Sequence, residues 1–273
     1  MGKQVQVQKG KNNRSCLWII LGAIFLICFA PILCVGVITA ALFSGLISDV
    51  DLQTANFSEA MNDAETARVE IFSGVAQINI STLDDSNNLF EGDITYFGEI
   101  DFTAGGGADR VIRLEQLSVD ENIFGVFDVF NIVTNSDEVT WNVGLAPDVP
   151  TEINIESGIE NSTLDLSTVN LTGLTTNFGV GDIDLTLPTP QQSYRVTINA
   201  GIGNVAISLP ETGAIRLEAD QGIGDLDTGR LLEVTSDEST TGNTGVWETE
   251  GFENAEITII IDINGGVGDI TLR

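Results

Sequence analysis

Gly179-Val180-Gly181-Asp182 and Gly201-Ile202-Gly203-Asn204 are two copies of one unit, Gly-[Ile/Val]-x-[Asp/Asn]. It returns as Gly158-Ile159-Glu160-Asn161, Gly222-Ile223-Gly224-Asp225 and Gly266-Val267-Gly268-Asp269. The first four copies start 21, 22 and 21 residues apart, and the last starts 44 residues further on, two periods later. A worn copy, Gly245-Val246-Trp247-Glu248, falls close to the vacant slot. A fixed period of about 20 to 50 residues marks a repeat architecture.

The residues around each unit alternate. Val69, Ile71, Ile78 and Ile80 are separated by other residues, as are Ile183, Leu185 and Leu187, Val205, Ile207 and Leu209, and Ile270 and Leu272. Period two with Ile, Val and Leu on one side is the strand signal. No helical period is sustained beyond Ala67, so the domain reads as all-β. Pro188 and Pro210 each follow a unit's first glycine by nine residues. Each repeat therefore reads as a glycine corner, a strand, a Pro-marked turn and a second strand, such as Tyr194–Asn199 or Ala214–Ala219. At about 3.3 Å per residue this makes one coil of a β-solenoid, with equivalent strands stacked in parallel about 4.8 Å apart.

Gly158, Gly179, Gly201, Gly222 and Gly266 are expected at the corners because glycine reaches positive φ. Asn161, Asp182, Asn204, Asp225 and Asp269 are expected to cap the turns by bonding local backbone. A divalent cation is the alternative reading, through the pairs Asp182/Asp184 and Asp225/Asp227. Nonapeptide calcium repeats recur every nine residues, however, not every 21. Residues 68–142 repeat less clearly. Gly74 resembles a corner and lies 84 residues before Gly158, four periods of 21. Gly105-Gly106-Gly107 reads as a hairpin loop, because no Lys-Ser/Thr completes a phosphate-binding loop. Phe124, Phe127 and Phe130 recur at three-residue spacing, as core residues or as an aromatic strip. Together with Trp247 they are the candidate partner surface.

The chain has 273 residues, 42% of them hydrophobic, and a net charge of −29. Lys3, Lys9, Lys11 and Arg14 precede the first acid, Asp49; from Asp49 onward there are seven arginines, no lysine and 40 acids. Such a domain repels nucleic acid and other polyanions and favours cations or basic partners. Histidine is absent, which removes the usual general base and metal ligand. Cys16, Cys28 and Cys34 all lie in or beside the apolar N-terminal run, so the large domain has no disulfide or thiolate zinc site. The sequence calls for no cofactor and no catalytic residue.

Leu17 to Ile47 carries no charge, which is long enough to span a bilayer and too long for a cleaved signal. The basic residues before it place the N-terminus in the cytoplasm. The expected organisation is a basic cytoplasmic segment at 1–16, a transmembrane signal anchor at 17–47, a linker at 48–67 and the solenoid at 68–273.

Trp141-Asn142-Val143-Gly144-Leu145, Pro150 and Ile153-Asn154-Ile155-Glu156-Ser157-Gly158 lead into Leu164-Asp165-Leu166-Ser167 and Gly179-Val180-Gly181-Asp182. This stretch resembles the LiaF-like C-terminal, or toastrack, domains, an adhesin-like (DUF4097-like) group. The resemblance implies a membrane-tethered, single-stranded β-solenoid tied to bacterial envelope stress, without catalytic residues. It differs in that members of the envelope-stress branch have several membrane helices and a cytoplasmic domain.

The expected function is a non-enzymatic, extracytoplasmic, membrane-anchored binding or scaffold module with a protein or cell-wall partner. One alternative is a regulatory accessory of an envelope-stress system. Another is a β-helix enzyme acting on polysaccharide, since two carboxylates can cleave a glycosidic bond without histidine. Because the last strand ends at Arg273, the final coil is expected to present an exposed edge.

Overall fold

Val69, Ile71, Ile78 and Ile80 are buried while the residues between them are mostly more exposed, and the chain around them forms two strands. β-branched side chains suit a pleated surface with one buried face. The same alternation runs through most strands of the domain. The structure, a computed structural model, describes residues 52–117, 138–159, 161–239 and 242–273. The chain divides into two units, Met1–Asp49 and Val50–Arg273. The first unit, with the segments read as 1–16 and 17–47, lies outside the described residues, as do Phe124, Phe127 and Phe130.

The strands in chain order are β1 (Gln53–Ala60), β2 (Thr66–Val75), β3 (Gln77–Thr82), β4 (Asn88–Tyr96), β5 (Glu99–Gly105), β6 (Asp109–Leu117) and β7 (Thr140–Leu145). Then come β8 (Thr151–Ile159), β9 (Ser162–Asp165), β10 (Leu171–Val180), β11 (Ile183–Thr186), β12 (Tyr194–Ile202) and β13 (Val205–Ser208). The last are β14 (Ala214–Ile223), β15 (Leu226–Asp227), β16 (Leu232–Ser239), β17 (Gly242–Glu248), β18 (Thr258–Val267) and β19 (Ile270–Leu272). β1 lies inside the stretch read as a linker, where Gln53–Ala60 pairs antiparallel with β4. Gly106 and Gly107, both at positive φ, close the β5–β6 hairpin, as the glycine run predicts.

These strands make two open sheets. One has nine strands in the order β1-β4-β7-β3-β9-β11-β13-β19-β15, and the other ten in the order β16-β17-β14-β18-β12-β10-β8-β2-β6-β5. Each coil gives one strand to each sheet. Coils built on β8/β9, β10/β11 and β12/β13 stack in parallel and in sequence order. Inward residues of both sheets meet in one core, including Ile155, Leu164, Leu185, Ile198, Ile207 and Ile263. Burying each such side chain stabilises the fold by roughly 1.5–3 kcal/mol.

The order of the coils departs from the expectation in two places. The last coil, β18/β19, is not at an edge: it lies between β12/β13 and β14/β15, parallel to both. The expected exposed edge after Leu272 is therefore an interior position. At the other end β2/β3 touches β8/β9 directly, so Gly74 and Gly158 are neighbours rather than four coils apart. The chain between them adds β6 beside β2 and β7 beside β3, outside the first repeat. The worn copy Gly245–Glu248 is no corner either; it belongs to β17, which pairs antiparallel with β14. Antiparallel strands thus cap both sheets at one end, through β5, β4 and β1, and the ten-stranded sheet at the other, through β17 and β16, while the nine-stranded sheet ends there in the short parallel β15. A solenoid needs such caps to hide its terminal backbone.

Candidate functional site

The five corners line up on one side of the stack. Each Asx side chain accepts a hydrogen bond from the backbone N–H of the next Asx along the ladder. Asn161 Oδ1 accepts from Asp182 at 2.8 Å, and Asp182 Oδ1 from Asn204 at 2.7 Å. Asn204 Oδ1 then accepts from Asp269, and Asp269 Oδ1 from Asp225, each at 2.9 Å. The spatial order is Asn161, Asp182, Asn204, Asp269, Asp225. The expectation of a local turn cap is corrected: these side chains join one coil to the next. An acceptor with two lone pairs and a rung spacing of about 4.8 Å allows this.

The two glycines of the unit have different jobs. The first is not at positive φ; a Cβ on Gly179, Gly201 or Gly266 would collide with the carbonyl oxygen of Gly158, Gly179 or Gly201 respectively. Backbone touches backbone there. The positive φ falls on the second glycine, 143° at Gly203 and 144° at Gly181. That conformation is nearly closed to other residues. The reading that placed positive φ on the first glycine is corrected accordingly.

The Ile or Val between these glycines faces solvent. Val180, Ile202, Val267 and Ile223 are register neighbours and are 44%, 55%, 45% and 56% exposed. Ile159 and Val75 continue the column in half-buried form. The result is an apolar ridge along the corner, one β-branched side chain per coil, beside the Asx ladder. Sequence reasoning absorbed these residues into the corner. Their signal was present, because they sit next to glycine at the end of the alternation where the core has already closed.

A second polar ladder runs on the outer face of the ten-stranded sheet. Asn199 Nδ2 donates to Asn177 Oδ1 at 2.8 Å, and Asn264 Nδ2 donates to Asn199 Oδ1 at 3.0 Å. It forms one wall of a shallow trough of about 430 Å³ floored by Gly179 and Gly201, with Glu156 at its end. A second hollow of about 610 Å³ shares Asn264 and adds Glu218, Asp220, Asp262 and Thr244. The nearby arginines are paired: Arg195 with Asp262, and Arg216 with Glu218 and Glu248. Exposed pairs of this kind contribute little to stability.

The remaining candidates separate. Trp247 is 7% exposed and sits against Leu217 across the β14–β17 pair, so its assignment to the partner surface is corrected to the core. Trp141 is wholly buried as well. Among the described residues no group of three His, Cys, Asp or Glu side chains could hold a metal. Asp184 is paired with Arg273 at 3.1 Å and Asp227 accepts the Gly229 N–H at 3.0 Å, while Asp182 and Asp269 serve the ladder. On the turn side Tyr194 donates to the Pro188 carbonyl at 2.8 Å, and burial pushes its phenol above the ordinary value. Glu91 accepts from Ser86 and Asn88, which hold its carboxyl below the usual range.

A solved structure from Clostridium sporogenes, described as a "putative cell adhesion protein", has the same fold, with a TM-score of 0.63 and 21% identity. The similarity covers 81% of this chain and 99% of that one. No curated protein matches the chain. The family model for the N-terminal domain of toast_rack, DUF2154, matches residues 48–208, which span β1 to β13. The chain therefore belongs to the toast_rack family.

Proposed function

We propose that this domain is a non-enzymatic, adhesin-like binding module, held outside the cell by the 17–47 segment as a membrane anchor. The observation that carries the reading is the exposed column Val180, Ile202, Val267 and Ile223 on a rigid stack of coils. Contiguous apolar surface rimmed by polar groups marks an interaction site. The rim here is the Asx ladder on one side and the Asn177–Asn199–Asn264 ladder on the other. The matching is therefore to a partner with an apolar strip and hydrogen-bond donors, either a protein or a wall component. The adhesion described for the Clostridium sporogenes relative supports the same direction. Seven arginines against 40 acids from Asp49 onward favour a basic or neutral partner over polyanions.

The test is adherence of cells displaying the full chain, compared with the variant Ile202→Asp/Ile223→Asp. Both positions are exposed, so the fold should persist, and adherence should fall at least tenfold. Unchanged adherence with an intact fold defeats the reading. A reporter placed after Arg273 that shows a cytoplasmic location defeats the extracellular assignment.

A further inference from the structure

The last coil is held in a slot whose two walls have one register. Tyr194 of β12 and Ile215 of β14 both face Ile259, and Ile202 and Ile223 both face Val267. In the other sheet Val205 and Leu226 both face Ile270. The walls are thus offset by 21 residues throughout, the separation of Asn161 and Asp182, whose coils stack directly. A coil whose Asp269 lies 44 residues beyond Asp225 occupies the space between them.

The slot selects its occupant chemically. Arg195 on one wall and Arg216 on the other face each other across Ile260, and Arg195 takes Asp262 as its partner. Losing that carboxylate would remove the ion pair that ties Arg195 to the last coil. Asn199 Oδ1 requires a donor at position 264, and Asn204 Oδ1 and the Asp225 N–H require an Asx at 269. A side chain at 266 would strike the Gly201 carbonyl, and one at 268 the Gly203 carbonyl. An occupant must therefore carry acid at 262, amide at 264, glycine at 266 and 268, and Asx at 269.

We propose that this slot accepts residues 258–272 of a second copy of the chain, in the same register, so that two chains become linked by exchanging their last coils. A second copy meets every requirement of the slot. Exchange keeps each hydrogen bond and ion pair and redirects only the connection 249–257, which is why swapping of an identical element is a low-cost route to dimers. This linkage is independent of what the apolar ridge binds.

The experiment uses the full chain with Cys16, Cys28 and Cys34 replaced by serine. One preparation carries Ala206→Cys and a second carries Thr271→Cys, register partners outside the set the slot requires; they are mixed, incubated at the foot of the unfolding transition, returned to native conditions and oxidised. Register partners in adjacent strands fall within the Cα separation of about 4.4–6.8 Å that a disulfide needs. The expected result is a disulfide-linked species of twice the chain mass. A single chain carrying both substitutions should close internally, showing that the thiols react. No linked species in the mixture, while the double variant closes, overturns the proposal. So does an equal yield when the second preparation carries Asn56→Cys instead, since β1 is remote from the slot and such linkage would report collision alone.

Discussion

The two sides of the coil stack obey different rules. On the corner side the links between paired strands are the two-residue steps 181–182, 203–204, 224–225 and 268–269, each Gly-Asx. On the turn side the connections 166–170, 187–193 and 209–213 differ in length and composition. At the corner glycines neighbouring coils touch backbone to backbone, so one added methyl group strikes a carbonyl. On the turn side the connections carry bonds of their own, such as that from Tyr194 to the Pro188 carbonyl. The repeat is written where the chain is closest to itself and is free to vary where it is not.

The harshest way to break this contrast is Gly203→Ala. It adds a Cβ at φ 143° against the Gly181 carbonyl. Backbone strain and overpacking together should cost about 4 kcal/mol, read as a lower urea midpoint. Ile198→Ala removes a wholly buried side chain midway between the two sides. It should cost about 3 kcal/mol by the same measurement. If Ile198→Ala were the more damaging of the two, backbone contact would not be what fixes the corner.

Asn204→Ala deletes the acceptor for the Asp269 N–H. It should cost about 1.5 kcal/mol, since an amide in the ladder loses its partner. On the turn side Tyr194→Phe should cost about 1 kcal/mol at neutral pH through the lost bond to Pro188. Burial raises the folded-state pKa of Tyr194, so its neutral form is the folded one. Its contribution is full below the unfolded value of about 10 and is lost as pH rises above that. Tyr194→Phe should accordingly flatten the alkaline loss of stability seen in the parent chain. The smallest effect belongs to two glycines inserted between Gln191 and Gln192, about 0.5 kcal/mol by loop-closure entropy. A loss above 2 kcal/mol there would show the turns to be as constrained as the corners.

Much of the fold was legible. Alternation at Ile183–Leu187 and Val205–Leu209 identified inward-facing strands because burial on one face forces period two. The 21-residue spacing identified parallel stacking because equal coil lengths keep glycine over glycine. Coil order was not legible. Asp269 makes the same bonds to Asn204 and Asp225 that consecutive coils make to each other, so nothing in its own sequence names its neighbours. The 84 residues between Gly74 and Gly158 hid their contact for a related reason: β4 to β7 form an excursion that returns beside its starting point. At the candidate site, aromatic character drew attention to Trp247, yet β17 turns it into the core. The exposed apolar column was instead the plain Val and Ile of the repeat itself.

The coil order turns on the last coil lying between the Gly201 and Gly222 coils. Its most direct test is a pair of double variants in the cysteine-free full chain, oxidised and read by mass and gel mobility. Asn204→Cys/Asp269→Cys should form an intrachain disulfide, because these residues are adjacent rungs. Asn204→Cys/Asp225→Cys should not, because Asp269 stands between them at a span of about two strand spacings, beyond the roughly 7 Å limit for a disulfide. The reverse outcome, with only the second pair closing, would show the coils stacked in sequence order and contradict the structure described above.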